Sequence, residues 1–473
     1  MIVTRELINP SITYKDHDGN GNFVSYDYSN IDTLINTYKN LLVSKGARKD
    51  HSIVIGQQAN ISQIAMVFAS AELGLKIVIS GNPLPPYTKM ENYVFGQINS
   101  KLRQMLPIDF FITESIHQTD KYQLFKDICR TTIVVSEEAL DATNNNTIWA
   151  DENTILIKCT SSGTTGIPKT VTHTHGFLSQ LILRNSKQFY GKMGMLSNLA
   201  HGSSPAVYYL PGLLSKDTTE YINLPNKDTE SLLEVSVLLE KNNMSLDHIL
   251  SPYSLYIDKL ASSDKSIKGC VLHTLGIIRK EWLPLLDQRR IKDIISIFGT
   301  NESSGPFMLN NASDPNFSED SYYIVDDFYT MDLNSLNELE ITMPVYNTLL
   351  KTNDIFLKDG NKFIYKGRSQ LYRINDLDID VNRIQSEINK LMSADLIVDT
   401  HKDSIYLAIW EDTDDKNIKQ INNLLRYHSD GLHFIKKYAR LNSSDYLNGV
   451  KIDKEMIREF FRIQDHTINK VGS

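Results

Sequence analysis

Short β-branched runs alternate with helical spacing through the first 160 residues, and that alternation confines the chain to layered α/β folds. Residues 31–44 and 61–73 repeat their apolar positions at helical intervals, while 52–55, 76–80, 110–113, 131–135 and 154–158 are brief apolar strands. Strands separated by helices predict layers built on largely parallel sheets. Polar, turn-rich stretches at 141–147 and 310–321 read as loops. The last hundred residues read as a separate, small α+β unit, with helices over 384–392 and 416–427 and a strand pair at 394–399 and 404–410. A boundary between the two parts belongs near 367–370. No internal repeat or heptad pattern interrupts this reading.

A chain of 473 residues exceeds one ordinary core and has room for about three modules of about 150 residues each. Its net charge of −8 argues against broad, charge-driven binding of nucleic acid. The three cysteines, Cys129, Cys159 and Cys270, are too scattered for a disulfide framework or a zinc site and suit a reducing compartment. The amino-terminal residues lack the basic-then-apolar order of a signal peptide. The most apolar stretch, 64–79, is broken by Glu72, Gly74 and Lys76, so it reads as a buried helix and strand rather than a membrane span. A cytoplasmic protein is expected.

Chemistry is concentrated first in Thr160-Ser-Ser-Gly-Thr-Thr-Gly-Ile-Pro-Lys169, directly after the strand at 154–158. Small residues let backbone N–H groups approach an anion, and hydroxyls and a lysine add donors, so this segment is a polyphosphate cradle by composition. Its lysine does not follow a glycine and precede Ser or Thr as in a P-loop. Further on, Phe298-Gly-Thr-Asn-Glu302 offers an aromatic face and a carboxylate suited to Mg²⁺. Thr352-Asn-Asp354, Asp359-Gly360 and Gly367-Arg368 supply a carboxylate able to accept from ribose hydroxyls and a planar cation for ribose or phosphate. Near the carboxyl terminus stands Asn448-Gly-Val-Lys-Ile-Asp-Lys454.

In this order the motifs resemble those of the adenylate-forming superfamily: acyl- and aryl-CoA synthetases, peptide-synthetase adenylation domains and luciferases. Ser161 to Lys169 follows that family's phosphate-loop pattern, departing at Thr170 where glycine is usual, and Thr174-His175 continues the match. The resemblance implies a large domain, residues 1–369, of two doubly wound sheets plus a distorted barrel. It also implies a mobile α+β lid, residues 370–473, turning about Gln370. It assigns ATP and AMP contacts to Ser161, Ser162, Gly163, Thr164, Thr165, Gly166, Lys169, Gly276, Ile278, Phe298, Gly299, Thr300, Asn301 and Asp354. Glu302 becomes the Mg²⁺ ligand, Arg368 a ribose or phosphate contact, and Lys451 the lysine that meets carboxylate and α-phosphate. Val450 is an insertion in that last motif, and Lys454 is the alternative lysine.

For the acyl pocket the resemblance points to His201 and Gly202, in Leu199-Ala-His201-Gly202, and to Leu275, in the strand that replaces the family's Gly-Gly-Ala-Pro. No aspartate stands where amino-acid adenylation domains hold an α-ammonium, which favours an aryl or short acyl acid. The implied activity is conversion of a small carboxylic acid to acyl-AMP with release of pyrophosphate. Transfer to the thiol of coenzyme A or of a phosphopantetheinyl acyl carrier protein follows. Asp376 stands where the family's glycine passes the pantetheine arm, which weakens the case for free CoA. An amide or ester ligase with an amine or hydroxyl acceptor, and a non-catalytic nucleotide-binding relative, stay open.

Overall fold

The computed structural model describes residues 1–471 apart from 57–59, 80–102, 104, 116–119, 162–168, 197–208, 225–230, 251–253, 276, 336, 344–347, 369–370, 375–376, 400–403, 411–414, 429–434, 443–444, 446, 449–450 and 453. The apolar runs of the first 160 residues pair in parallel. Strands Thr131–Val134, Phe110–Thr113, Ser52–Ile55, Lys76–Ile79 and Ile155–Ser161 lie side by side in that order. Strand Lys169–Thr174 closes the edge antiparallel. Helix Tyr28–Ser44 begins three residues before its apolar periodicity because Asp27 caps it, accepting from Asn30 N while Asn30 Oδ1 accepts from Asp27 N.

The second sheet has thirteen strands. Thr13–His17, Thr218–Asn223, Gly191–Met195, His248–Leu250, Val271–Leu275 and Asp293–Thr300 are parallel neighbours. From there the sheet runs on antiparallel through Gly305–Asn311, Ser321–Ile324, Lys362–Arg368, Thr348–Asp359, Glu338–Met343 and Thr330–Leu333. The strand bearing Phe298 and the strand bearing Phe356 are four steps apart along this ladder. In a flat sheet that is about 19 Å, at about 4.8 Å per strand. The two ring centroids are 5.2 Å apart. The antiparallel part is therefore rolled into a barrel, closed by side chains: Phe298 also meets Phe307, Tyr322 and Tyr365 at 5.4–5.7 Å, edge-on or tilted.

One apolar core spans the two sheets and the helices packed on them, taking in Ile53, Ile77, Ile157 and Cys159 of the first sheet, Phe68 of helix Ile61–Glu72, Leu181 of helix His175–Ser186, and Met193, Tyr221, Leu250, Ile297 and Met308 of the second sheet. A second core, around Trp282, Leu272 and Ile294, fills the other face of the parallel strands. Beyond residue 380 the cores are local. Helix Val381–Leu391, strands Ala394–Asp399 and Ser404–Ile409 and helix Asp415–His428 pack on one another, and Tyr406 stacks on Phe461 of helix Lys454–Val471. Strand Ile435–Arg440, not foreseen, completes this sheet. Its alternate residues Lys436, Tyr438 and Arg440 are exposed, as suits an edge, so the segment carries little apolar signal. Asn310 and Asn311, expected in a loop, finish a strand instead. Among the described residues no helix is long and apolar enough to cross a membrane.

Helix Ile61–Glu72 is buried on nearly every side and ends on a charge. Gly74, at φ 64°, takes the left-handed turn that lets Leu75 N reach Ser70 O and Gly74 N reach Ala71 O. Glu72 is stranded in the interior and is met by Arg5, which donates from Nε at 2.9 Å and Nη2 at 2.8 Å, and by Lys39 Nζ at 2.7 Å. Arg5 in turn donates to Asp32 and Asn36, joining the amino-terminal segment, two helices and the 145 loop. Burial pushes the Glu72 carboxyl up, but the bonds from Arg5 and Lys39 outweigh it, and its pKa ends below the ordinary value. Glu72→Gln leaves Lys39 charged and buried, so urea unfolding at neutral pH should show a loss of about 3–5 kcal/mol. A folded pKa below the unfolded one means that the stabilisation is complete above about pH 4.3 and fades as pH falls through the folded value. The gap between the two proteins should therefore narrow in acid.

Candidate active site

The phosphate-loop segment joins two strands of the first sheet. Strands Ile155–Ser161 and Lys169–Thr174 pair antiparallel with Ser161 opposite Lys169, so both ends of the loop are fixed by backbone hydrogen bonds. Residues Ser162 to Pro168, which include Gly163, Thr164, Thr165 and Gly166, lie outside the described residues. Helix His175–Ser186 follows at once, and Thr174 Oγ1 caps it by accepting from Phe177 N at 3.4 Å.

The Phe298–Glu302 motif ends strand Asp293–Thr300 of the other sheet. Gly299 sits at a register shift opposite Gly305–Pro306. The following turn is tied internally: Thr300 N donates to Ser303 Oγ, Ser303 N to Thr300 Oγ1, both at 3.1 Å, and Tyr329 OH donates to Ser303 O at 2.9 Å. Two bonds then cross between the sheets. Asn301 Nδ2 donates to Thr160 O at 3.0 Å, and the His173 ring, from Nε2, donates to Asn301 O at 2.7 Å. The two strands that flank residues 162–168 and the Glu302 turn thus meet at one seam.

Electrostatics agree with that position. Burial pushes the Cys159 thiol up to about 12, with the Glu302 carboxylate adding to the shift. Burial pushes His173 down to about 4 against the Asn301 bond and Glu302, so the ring is neutral near pH 7. Glu302 is itself half-buried, and none of the described residues bonds its carboxylate.

By sequence, no family model and no curated protein matches the chain. By structure, the likeness spans nearly all of it. O-succinylbenzoate coenzyme A synthetase (MenE) from Bacillus subtilis, in complex with ATP and magnesium ion, superposes with a TM-score of 0.68 at 14% identity, covering 96% of this chain and 98% of that one. A fatty acyl CoA synthetase from Mycobacterium tuberculosis gives 0.70 at 13%, covering 97% of each chain. A structure from work on fatty acyl-adenylate ligases of E. coli and L. pneumophila gives 0.71 at 12%, covering 98% and 99%. The fold is that of the adenylate-forming enzymes.

Within this adenylate-forming fold the other sequence-derived residues fall in several places. Asp354 is 1% exposed and stands opposite Arg368 across paired strands. Its N–H donates to Thr352 Oγ1, and that hydroxyl donates to Leu339 O. Asn353 between them has φ 58°, the left-handed backbone that glycine supplies in the family's Thr-Gly-Asp and that asparagine tolerates best after it. Phe298 is largely committed to the barrel interior, so adenine stacking is left only the remainder of its half-buried ring. Leu275 is partly buried against the inter-sheet core. Ile278 has its side chain fully buried in the second core, which leaves only its backbone for any contact with a nucleotide. His201, Gly202, Gly276, Gln370 and Asp376 lie outside the described residues. Lys451 pairs with Asn448 in a short antiparallel ladder. The alternative, Lys454, has Nζ 3.2 Å from Asp395, an ion pair that gives it a structural task.

Two residues escaped the sequence reading, His173 and Tyr329. His173 did leave a signal, since in the strand Lys169–Thr174 the inward positions alternate and place it beside Val171 in the apolar layer.

Gly299 supports the turn most directly. A Cβ built there would lie 2.4 Å from Gly305 O and 3.0 Å from Gly305 C, both rigid backbone. Gly299→Ala should therefore push the Thr300–Ser304 turn off the seam. The expected results are a lowered melting temperature and loss of Mg²⁺-dependent binding of a fluorescent ATP analogue. A variant with unchanged melting and binding would mean that the turn tolerates the shift.

Proposed function

We propose that this chain is an AMP-forming carboxylic acid ligase. The observation that carries the reading is the seam, where Asn301 and His173 bring the Glu302 turn against the strand ends that frame the phosphate loop. The fold's likeness to acid–thiol ligases supports the same class. A division into 1–369 and 370–473 is proposed with it, supported by cores beyond residue 380 that draw on no earlier residue.

The site's donor chemistry fits Mg²⁺. That ion keeps several waters and takes one or two carboxylates plus phosphate oxygens. Glu302 offers a carboxylate that no described side chain uses, and no cage of three acidic, His or Cys side chains occurs among the described residues. Glu302 would hold the ion, whose contribution is to offset charge on the phosphates.

The chain's own residues would work as follows. The loop from Ser161 to Lys169 holds the β- and γ-phosphates, and Asp354 and Arg368 serve the ribose side. Lys451 balances charge where a substrate carboxylate oxygen bonds to the α-phosphorus. As that bond forms, the bond from the α-phosphorus to the β-bridging oxygen breaks, and pyrophosphate leaves with the electron pair. An acyl-AMP remains. A thiolate then attacks its carbonyl and AMP departs, after the unit from 370 turns Lys451 away. The acid is proposed to be aryl or short acyl without an α-ammonium, and the thiol to belong to CoA or a carrier protein. A cytoplasmic setting suits the three cysteines, all buried and unpaired.

Pyrophosphate release over a panel of carboxylic acids, with and without CoA, tests the proposal, and silence across the whole panel would overturn it. Glu302→Ala should lower release by roughly 10²-fold with melting unchanged. Lys451→Ala should block acyl-AMP formation but still transfer from acyl-AMP supplied ready-made. Lys454→Ala, which removes only the Asp395 pair, should do neither; the reverse pattern would exchange the two lysines.

A further inference from the structure

His173 is a costly residue for its place. It is 1% exposed, and its same-face strand neighbour Val171 packs against the apolar core. Burying an imidazole is unfavourable unless its polar atoms are used. Its Nδ1 finds no partner among the described residues, so the one bond that repays the burial is that from Nε2 to Asn301 O. That carbonyl belongs to the peptide leading into Glu302, and the bond therefore fixes the plane from which the Glu302 side chain departs. The ring cannot turn to other partners. Phe177 stacks on it at 5.4 Å and 27°, and Phe177 is held in the first helical turn by the Thr174 cap. The second cross-sheet bond, from Asn301 Nδ2 to Thr160 O, runs the other way, so Asn301 is gripped from both ends.

We infer that His173 is a positioning residue, a latch that sets the Glu302 carboxylate relative to the phosphate loop through the Asn301 backbone. The inference rests on the proposed function and adds to it a residue that touches neither metal nor nucleotide. An apolar residue would pack the layer equally well, so the imidazole's distinct contribution is the distance between the two halves of the site.

The test compares three variants of the full chain by thermal melting and by titrating Mg²⁺ against binding of methylanthraniloyl-ATP. His173→Phe keeps the ring and the stacking but lacks the donor. It should require about tenfold more Mg²⁺ for half-maximal binding, the weight of one such hydrogen bond, while binding at saturating Mg²⁺ is retained. His173→Gln carries an amide nitrogen to the Nε2 position and should return to within about threefold of the unaltered protein, by the same measure. If the phenylalanine variant fails to fold, His173→Asn, whose amide falls short of Asn301 O, carries the same expectation. A folded Phe or Asn variant with an unaltered Mg²⁺ response would overturn the latch and leave the proposed function standing. So would a glutamine variant that folds but recovers nothing. No Mg²⁺-dependent binding by the unaltered chain would remove the proposed function, and the latch with it.

Discussion

The two large sheets share one apolar layer, and the site depends on how that layer ends. Within it, side chains of both sheets and of the helices packed on them form one cluster and need nothing but volume. At its rim the backbone becomes polar, and unpaired N–H and C=O groups there would each cost about 1–3 kcal/mol. The chain meets this with Asn301 and His173, which convert a boundary between sheets into a bonded junction. The phosphate-loop strands and the Glu302 turn are neighbours because that rim has to be satisfied.

Two glutamates show how burial sorts structure from chemistry. Glu72 is wholly enclosed and wholly answered by Arg5 and Lys39, so it holds elements together and has nothing left to offer a ligand. Glu302 is half-buried and uncommitted among the described residues, which leaves its carboxylate available for the proposed ion. Near the carboxyl terminus Lys454 is likewise engaged, by Asp395.

Much of this was legible in the sequence because its signals are local. Alternating strand and helix patterns gave the parallel sheets, and the small-residue run that follows a strand is bracketed by paired strand ends. Non-local pairing was not legible. Nothing in 305–368 announces that its strands extend a parallel sheet, since the partner of each is set by the fold and not by its own pattern. Edge strand Ile435–Arg440 was missed because half of its residues face solvent. His173 was not singled out because it stands outside the motifs, and only the structure shows what its ring bonds.

The rolled sheet has one more consequence. Asp354 lies on strand Thr348–Asp359 and Glu302 in the turn just past strand Asp293–Thr300; a flat ladder would hold those two strands far apart, and no strand pairing among the described residues draws them together. The aromatic cluster around Phe298 and Phe356 does that. Curvature is thus a coordinate of the proposed site in its own right: were a nucleotide to lie between Asp354 and Glu302 as proposed, its span would be set by how tightly five rings nest. A change in ring size deep in the barrel would rescale that span without altering any residue at the surface of the site. Under the proposed function, drift in nucleotide preference would then arise from the interior, where a survey of the exposed residues would not find it.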